Sequence, residues 1–199
     1  MKIYDISQEV FGCRVFPGNP TPEKRVLLSM ERGERCNLSA FSMCAHNGTH
    51  VDAPLHFYND GLAIDGIPLE SVVGEAYVAE HSGVLSGADA EAILKKAKAH
   101  SEGSAKRILI KGKATVSLEA ARVFSSSKVL LVGNESQTVG PEEAPKAVHL
   151  ELLGANVVLL EGIRLADVPD GVYLLNAAPL NLAGTEGAPC RAILIDTKI

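Results

Sequence analysis

The chain has 199 residues, 46% hydrophobic and 22% charged, a mix that suits one globular domain over residues 1–199 with a core that needs no disulfides. Nineteen Lys and Arg against 24 Asp and Glu leave a net charge of −5, and aromatic residues are 5% with no Trp. An acidic, aromatic-poor surface disfavours phosphate backbones, stacked bases and anionic lipid, so neither nucleic acid nor a membrane is an expected partner.

Asp5 interrupts the opening segment, which a secretory leader would keep apolar. No run approaches the roughly 18 apolar residues of a spanning helix. Cys13, Cys36, Cys44 and Cys190 are scattered without a C-x-x-C pair, so reduced thiols in a cytoplasmic protein are expected. Strands are predicted at residues 25–30 and 38–43, after the Phe16-Pro17-Gly18-Asn19-Pro20 loop. Further strands are predicted at 76–80, 107–110, 129–132, 157–160, 172–175 and 192–195. The runs Ile108-Leu109-Ile110, Val129 to Val132 and Val157 to Leu160 are uninterrupted, as in strands buried on both faces.

Helices are predicted between these strands. Residues 88–100 place Ala90, Ile93, Leu94 and Ala97 on one face, residues 117–124 open on a Ser cap, and residues 141–153 run from Pro141 to the stop at Gly154. This alternation implies an α/β core with parallel strand pairs. The segment Ala183 to Pro189 reads as a Gly-rich loop.

Three of the six histidines crowd into His46-Asn47-Gly48-Thr49-His50-Val51-Asp52-Ala53-Pro54-Leu55-His56. Imidazole nitrogens and carboxylate oxygens are ligands that zinc, manganese and iron accept. His46 and His50 are i and i+4, whereas the even spacing of His50, Asp52 and His56 would align them on an extended stretch. Asn47-Gly48 favours a turn that folds His46 back beside His50 and Asp52, and Pro54 biases Ala53 towards an extended conformation. Three ligands and an open position make the layout of a catalytic rather than a closed structural metal site. A plain hairpin turn is the alternative, but packed imidazoles repel one another when protonated, and a cation relieves that. His149, with Leu152 and Leu153 at i+3 and i+4, reads by itself as a core histidine. Glu161 reads as a charge ending a strand, at the end where open α/β sheets place their sites. His81 and His100 sit in polar contexts and receive no role. No G-x-S-x-G elbow, phosphate loop or G-x-G-x-x-G is present.

The string from His46 to His56 resembles the signature of the cyclase family, whose best-known members are bacterial kynurenine formamidases. The resemblance runs through Asp5-Ile6-Ser7 as an opening strand, Phe16-Pro17-Gly18, His149, Glu161, Gly171-x-Tyr173, Pro179-Leu180 and Pro189-x-Arg191-Ala192. It implies a swivelling β/β/α fold with a mixed sheet, assembled as a homodimer or tetramer. It also implies two divalent ions, zinc or manganese. His46, His50 and Asp52 would hold the first, and Asp52 with His149 and Glu161 the second, while His56 would be catalytic. The implied reaction is hydrolysis of a small amide, N-formylkynurenine first among candidates. The family's Trp near the N-terminal turn is absent, and its Gly-x-Asp-x-x-Ser segment reads Gly133-Asn134-Glu135-Ser136-Gln137-Thr138, so the pocket walls are expected to differ. Lactams, cyclic imides or a dehydrating cyclisation are alternative chemistries, and a metal-binding protein without catalysis is the alternative class.

Overall fold

The apolar runs that lack any polar alternation become neighbouring strands at the centre of one sheet, in a computed structural model that describes residues 1–196. The first elements are β1 (Lys2–Asp5), β2 (Glu23–Leu28), β3 (Leu38–Ser42), β4 (His50–Asp52), α1 (Leu69–Val72), β5 (Val73–Glu80) and β6 (Gly83–Leu85). There follow α2 (Gly87–His100), β7 (Arg107–Lys111), β8 (Ala114–Val116), α3 (Leu118–Ser126) and β9 (Leu131–Asn134). The last are α4 (Lys146–Gly154), β10 (Val158–Glu161), β11 (Gly171–Asn176), β12 (Gly187–Pro189) and β13 (Ile193–Asp196).

Nine strands form the main sheet in the order β1-β13-β11-β5-β7-β9-β10-β4-β12. Strands β5, β7, β9 and β10 run parallel, joined through α2, α3 and α4, as the strand–helix alternation requires. Antiparallel strands extend this core on both sides, with β11, β13 and β1 on one and β4 and β12 on the other. The sheet is therefore mixed. Two further pairs, β2–β3 and β6–β8, stand outside it.

Helices α2, α3 and α4 cover one face. Ile93 and Leu94 of α2, Phe124 of α3, and Leu152 and Leu153 of α4 join Ile108, Val132 and Leu159 in one apolar cluster. The opposite face packs Leu109, Leu131, Leu160 and Val51 against Ile64, Ile163 and Leu165. Phe124 is fully buried where the helices meet the sheet, and Phe124→Ala is expected to cost about 3–5 kcal/mol of stability, read from urea unfolding at constant m.

Local chemistry sets the helix ends. Ser86 accepts from the Asp89 amide at 3.2 Å while the Asp89 carboxylate accepts from the Ser86 amide at 2.9 Å, a capping box that starts α2 at Gly87. Ser117 caps α3 as its hydroxyl invites. The helix expected from residue 141 begins only at Lys146. Pro145 disfavours helical geometry at Ala144, whose amide instead closes a turn onto the Pro141 carbonyl. The opening strand lies at Lys2–Asp5, just ahead of the expected 5–7, and leaves Ile6 fully buried beyond it. The second strand ends at Leu28 rather than residue 30, because Met30–Arg32 turn into a short 3₁₀ segment.

Candidate metal centre

The histidine-rich segment folds as its turn residues dictate. The Asn47 side-chain oxygen accepts from the Cys44 amide at 2.7 Å, and Gly48 adopts φ 65°, a left-handed conformation that favours glycine. The chain thereby reverses between His46 and His50. Thr49 donates to the Gly162 carbonyl at 2.8 Å, and the Gln137 amide donates to the Gly48 carbonyl at 3.2 Å, pinning the turn to the loops after β9 and β10.

Strand β4 pairs antiparallel with β10, setting His50 opposite Glu161 and Asp52 opposite Leu159. His50, Asp52 and Glu161 thus share one face, the face on which Leu159 meets the helices. Helix α4 lies over that face and presents His149, which is buried with Leu152 and Leu153. Strand β12 flanks β4 on the other side, with Gly187 opposite Asp52. A β-carbon at Gly187 would stand 2.8 Å from the His46 ring, so glycine here makes room for that imidazole. His56 arrives differently from the extended alignment expected. The strand ends at Asp52, Ala53 stays extended, and Pro54, which has no N–H to continue a ladder, opens a 3₁₀ turn that carries His56 back over the cluster.

Seven titratable side chains converge. His50 Nε2 lies 3.4 Å from both Asp52 Oδ1 and Glu161 Oε2. His149 Nε2 lies 3.3 Å from Glu161 Oε1 and 3.7 Å from Asp52 Oδ2. His46 Nδ1 lies 2.8 Å from Asp52 Oδ1, and its Nε2 lies 3.2 Å from Glu186 Oε1. The His56 ring stacks on His46 at 4.1 Å between centroids, and Phe57 packs against both His56 and His149.

The outer nitrogens define tautomers. His50 Nδ1 lies 3.1 Å from the Gly48 carbonyl and His149 Nδ1 lies 2.9 Å from the Pro145 carbonyl. A carbonyl can only accept, so each Nδ1 carries hydrogen, and each Nε2 faces the carboxylates, where losing its own proton would free a lone pair for a cation. Two sets of donor atoms each close enough to share a cation result: His46, His50 and Asp52, and Asp52, His149 and Glu161. Asp52 belongs to both.

Charge follows from burial. Burial opposes an imidazolium at His46, but the Asp52 hydrogen bond and charge, aided by Glu186, overcome it and lift the pKa to about 9. At His149 burial is likewise outweighed by the Glu161 hydrogen bond and charge, giving about 8. Burial works against the Asp52 carboxylate, yet the His46 hydrogen bond and the His50 and His46 charges hold it well below the usual carboxylate range. His56 goes the other way: burial, with the charges of His46 and His149, lowers it despite Asp52 and Glu161.

Of the residues singled out from the sequence, His46, His50, Asp52, His56, His149 and Glu161 all meet in this cluster. His81 and His100 lie elsewhere, beside the Val84 carbonyl and the Tyr77 ring. All four cysteines are free. Sequence reasoning missed Glu186, which stands in the loop read only as Gly-rich punctuation. A carboxylate there has no periodicity to mark it, and only the β4–β12 pairing brings it to His46.

A mixed α/β sheet with a buried histidine–carboxylate cluster between its strands and a covering helix defines a class of proteins built around a candidate metal centre. The comparisons narrow the class: the family model described as "Putative cyclase" matches residues 4–141, and the chain belongs to that cyclase family. The chain is 35% identical over 212 residues to a kynurenine formamidase of Salinibacter ruber, covering 98% of each. It also matches a solved structure described as a potential metal-dependent hydrolase with cyclase activity, at 28% identity and TM-score 0.80, over 100% of this chain and 99% of that one. An isatin hydrolase A from Labrenzia aggregata shares the fold at 22% identity and TM-score 0.82, over 99% of this chain and 94% of that one.

Proposed function

We propose that this chain is a metal-dependent hydrolase of small amides, with an aryl formamide of the N-formylkynurenine type as its substrate. The kynurenine formamidase relatives, which align along nearly the whole chain, support that substrate class.

The observation that carries the metal reading is Asp52. Its side chain is 1% exposed, and its Oδ2 has no hydrogen-bond partner although it faces His149. A buried carboxylate oxygen left unpaired costs on the order of 1–3 kcal/mol or more unless something binds it. Donors held at about 2.0–2.2 Å from a common tetrahedral cation stand roughly 3.4 Å apart. The His50–Asp52 separation of 3.4 Å in one group, and the His149–Glu161 and His149–Asp52 separations of 3.3 and 3.7 Å in the other, suit that arrangement. The donor set fits divalent ions that accept nitrogen and oxygen, zinc and manganese among them. In this reading His46, His50 and Asp52 hold one ion, and Asp52, His149 and Glu161 hold a second.

A bound divalent cation supplies Lewis acidity towards water and towards the substrate carbonyl. The protein supplies the proton traffic. His56 lies outside both ligand groups, and its lowered pKa keeps the imidazole neutral near pH 7, ready to accept a proton from the attacking water. It then returns that proton to the leaving nitrogen, so the amide C–N bond breaks as the new C–O bond is made. Phe57, against both His56 and His149, limits water at the reacting side.

The remaining traits belong to the same proposal. One domain carries the whole activity, in the cytoplasm, as a homodimer or tetramer. The separate β2–β3 ribbon and the 3₁₀ segment between its strands support self-association, since they leave Val26, Met30, Leu38 and Phe41 at least half or nearly half exposed. No helix among the described residues is long and apolar enough to cross a membrane.

The test is metal analysis of protein purified under metal-replete conditions, followed by a panel of formyl-anilides, lactams and cyclic imides. Metal near two equivalents with formyl-anilide turnover that chelation abolishes and zinc or manganese restores is expected. Less than one equivalent would sink the metal reading, and turnover confined to lactams or imides would move the substrate class.

A further inference from the structure

We propose that Glu186 is a positioning residue of the centre: it holds the outer nitrogen of His46 so that Nδ1 faces the cation shared through Asp52. This inference rests on the metal reading above and assigns a role to a residue outside both ligand groups.

The three histidines of the ligand groups are oriented in two different ways. His50 and His149 donate their Nδ1 hydrogens to the Gly48 and Pro145 carbonyls, fixed parts of the backbone. His46 is reversed, with Nδ1 turned inward to Asp52 and Nε2 turned outward. Glu186 Oε1, 3.2 Å away, is the partner of that outer nitrogen. A histidine that ligates through one nitrogen must keep hydrogen on the other, and a carboxylate acceptor fixes that tautomer, aims the ring and makes the inner nitrogen a better donor.

The surroundings restrict Glu186 to this geometry. Its carbonyl accepts from the Ala53 amide at 2.9 Å, and the next residue pairs with Asp52 across β4–β12, so its backbone is tied to the ligand strand. Gly187 leaves the space that the His46 ring occupies. The Glu186 side chain is 42% exposed, so replacing it opens no hole in the core.

The experiment titrates zinc into metal-free wild type, Glu186→Ala and Glu186→Gln against a chromophoric chelator, with cobalt substitution as a spectroscopic check. In Glu186→Ala one equivalent is expected to bind roughly 10- to 100-fold more weakly, with the other changed little and the cobalt visible spectrum shifted. Glu186→Gln, whose amide oxygen still accepts the hydrogen, is expected to recover most of that affinity. Unchanged zinc affinity in Glu186→Ala would overturn the proposal, as would a change confined to KM or equal weakening in Ala and Gln. A wild type that binds no zinc would overturn the underlying metal reading and this role with it, an outcome separable from the others because it needs no variant.

Discussion

Asp52→Asn is expected to strip both ions and to abolish hydrolysis while the protein still folds. Asp52 is the one side chain common to both ligand groups, and it is buried. An Asn of the same shape keeps one oxygen but removes the charge that three imidazoles face and that the two proposed ions would share. Metal content measured after purification should fall from about two equivalents to well under one. Full retention of metal in the variant would refute the shared-carboxylate reading.

The same substitution has a signature in the metal-free protein. His46 is raised from 6.5 to about 9 by Asp52 against the opposing effect of burial. A raised pKa means that the folded state holds the proton more tightly than the unfolded chain. The stabilisation is therefore complete below about pH 6.5 and is lost as pH rises through about 9. Its size is on the order of 3 kcal/mol at low pH. Urea unfolding of the chelated wild type should show stability falling over that interval, and Asp52→Asn should flatten the fall. Metal should remove the effect as well, because a ligating nitrogen cannot keep its hydrogen.

His56→Ala is expected to separate chemistry from binding. The ring stacks on His46 at 4.1 Å but belongs to neither ligand group, so metal content should remain full. Loss of a positioned general acid–base group costs roughly 10²–10⁴ in kcat, and the loss should appear in kcat more than in KM. The lowered pKa of His56 sets the sign of the pH dependence. Activity that needs the neutral imidazole falls as pH drops below that pKa, which lies under 6.5, and this acidic limb should vanish in the variant. Metal loss in His56→Ala would make the residue a ligand instead.

Several parts of this arrangement are legible in the sequence. Uninterrupted apolar runs at Ile108-Leu109-Ile110 and Val157 to Leu160 mark strands buried on both faces, and β7 and β10 lie in the parallel centre of the sheet. The Asn47-Gly48 turn shows why His46 must lie beside Asp52, since both residues have strong local preferences that no distant contact overrides. Short elements escape notice: β4, β6, β8 and β12 have three residues each, too few for any periodicity to register. The first five residues of the helix predicted from residue 141 fail for a local reason, Pro145, that the sequence displays but helical periodicity outweighs.

By itself the sequence determined the α/β alternation, the turn at Gly48 and the chemical character of the segment from His46 to His56, because these depend on neighbours along the chain. His149 shows the limit. On its helix it reads as a core histidine, and it is one, with its Nδ1 held by Pro145; it is also a member of the cluster, because α4 lies over β4 and β10. Only the tertiary structure decided that Glu161 sits opposite His50, that Asp52 lies between two groups of donors, and that Glu186 meets His46. Those encounters depend on strand register and helix placement across more than a hundred residues of chain, and register is set by the burial of whole faces rather than by any residue in the site.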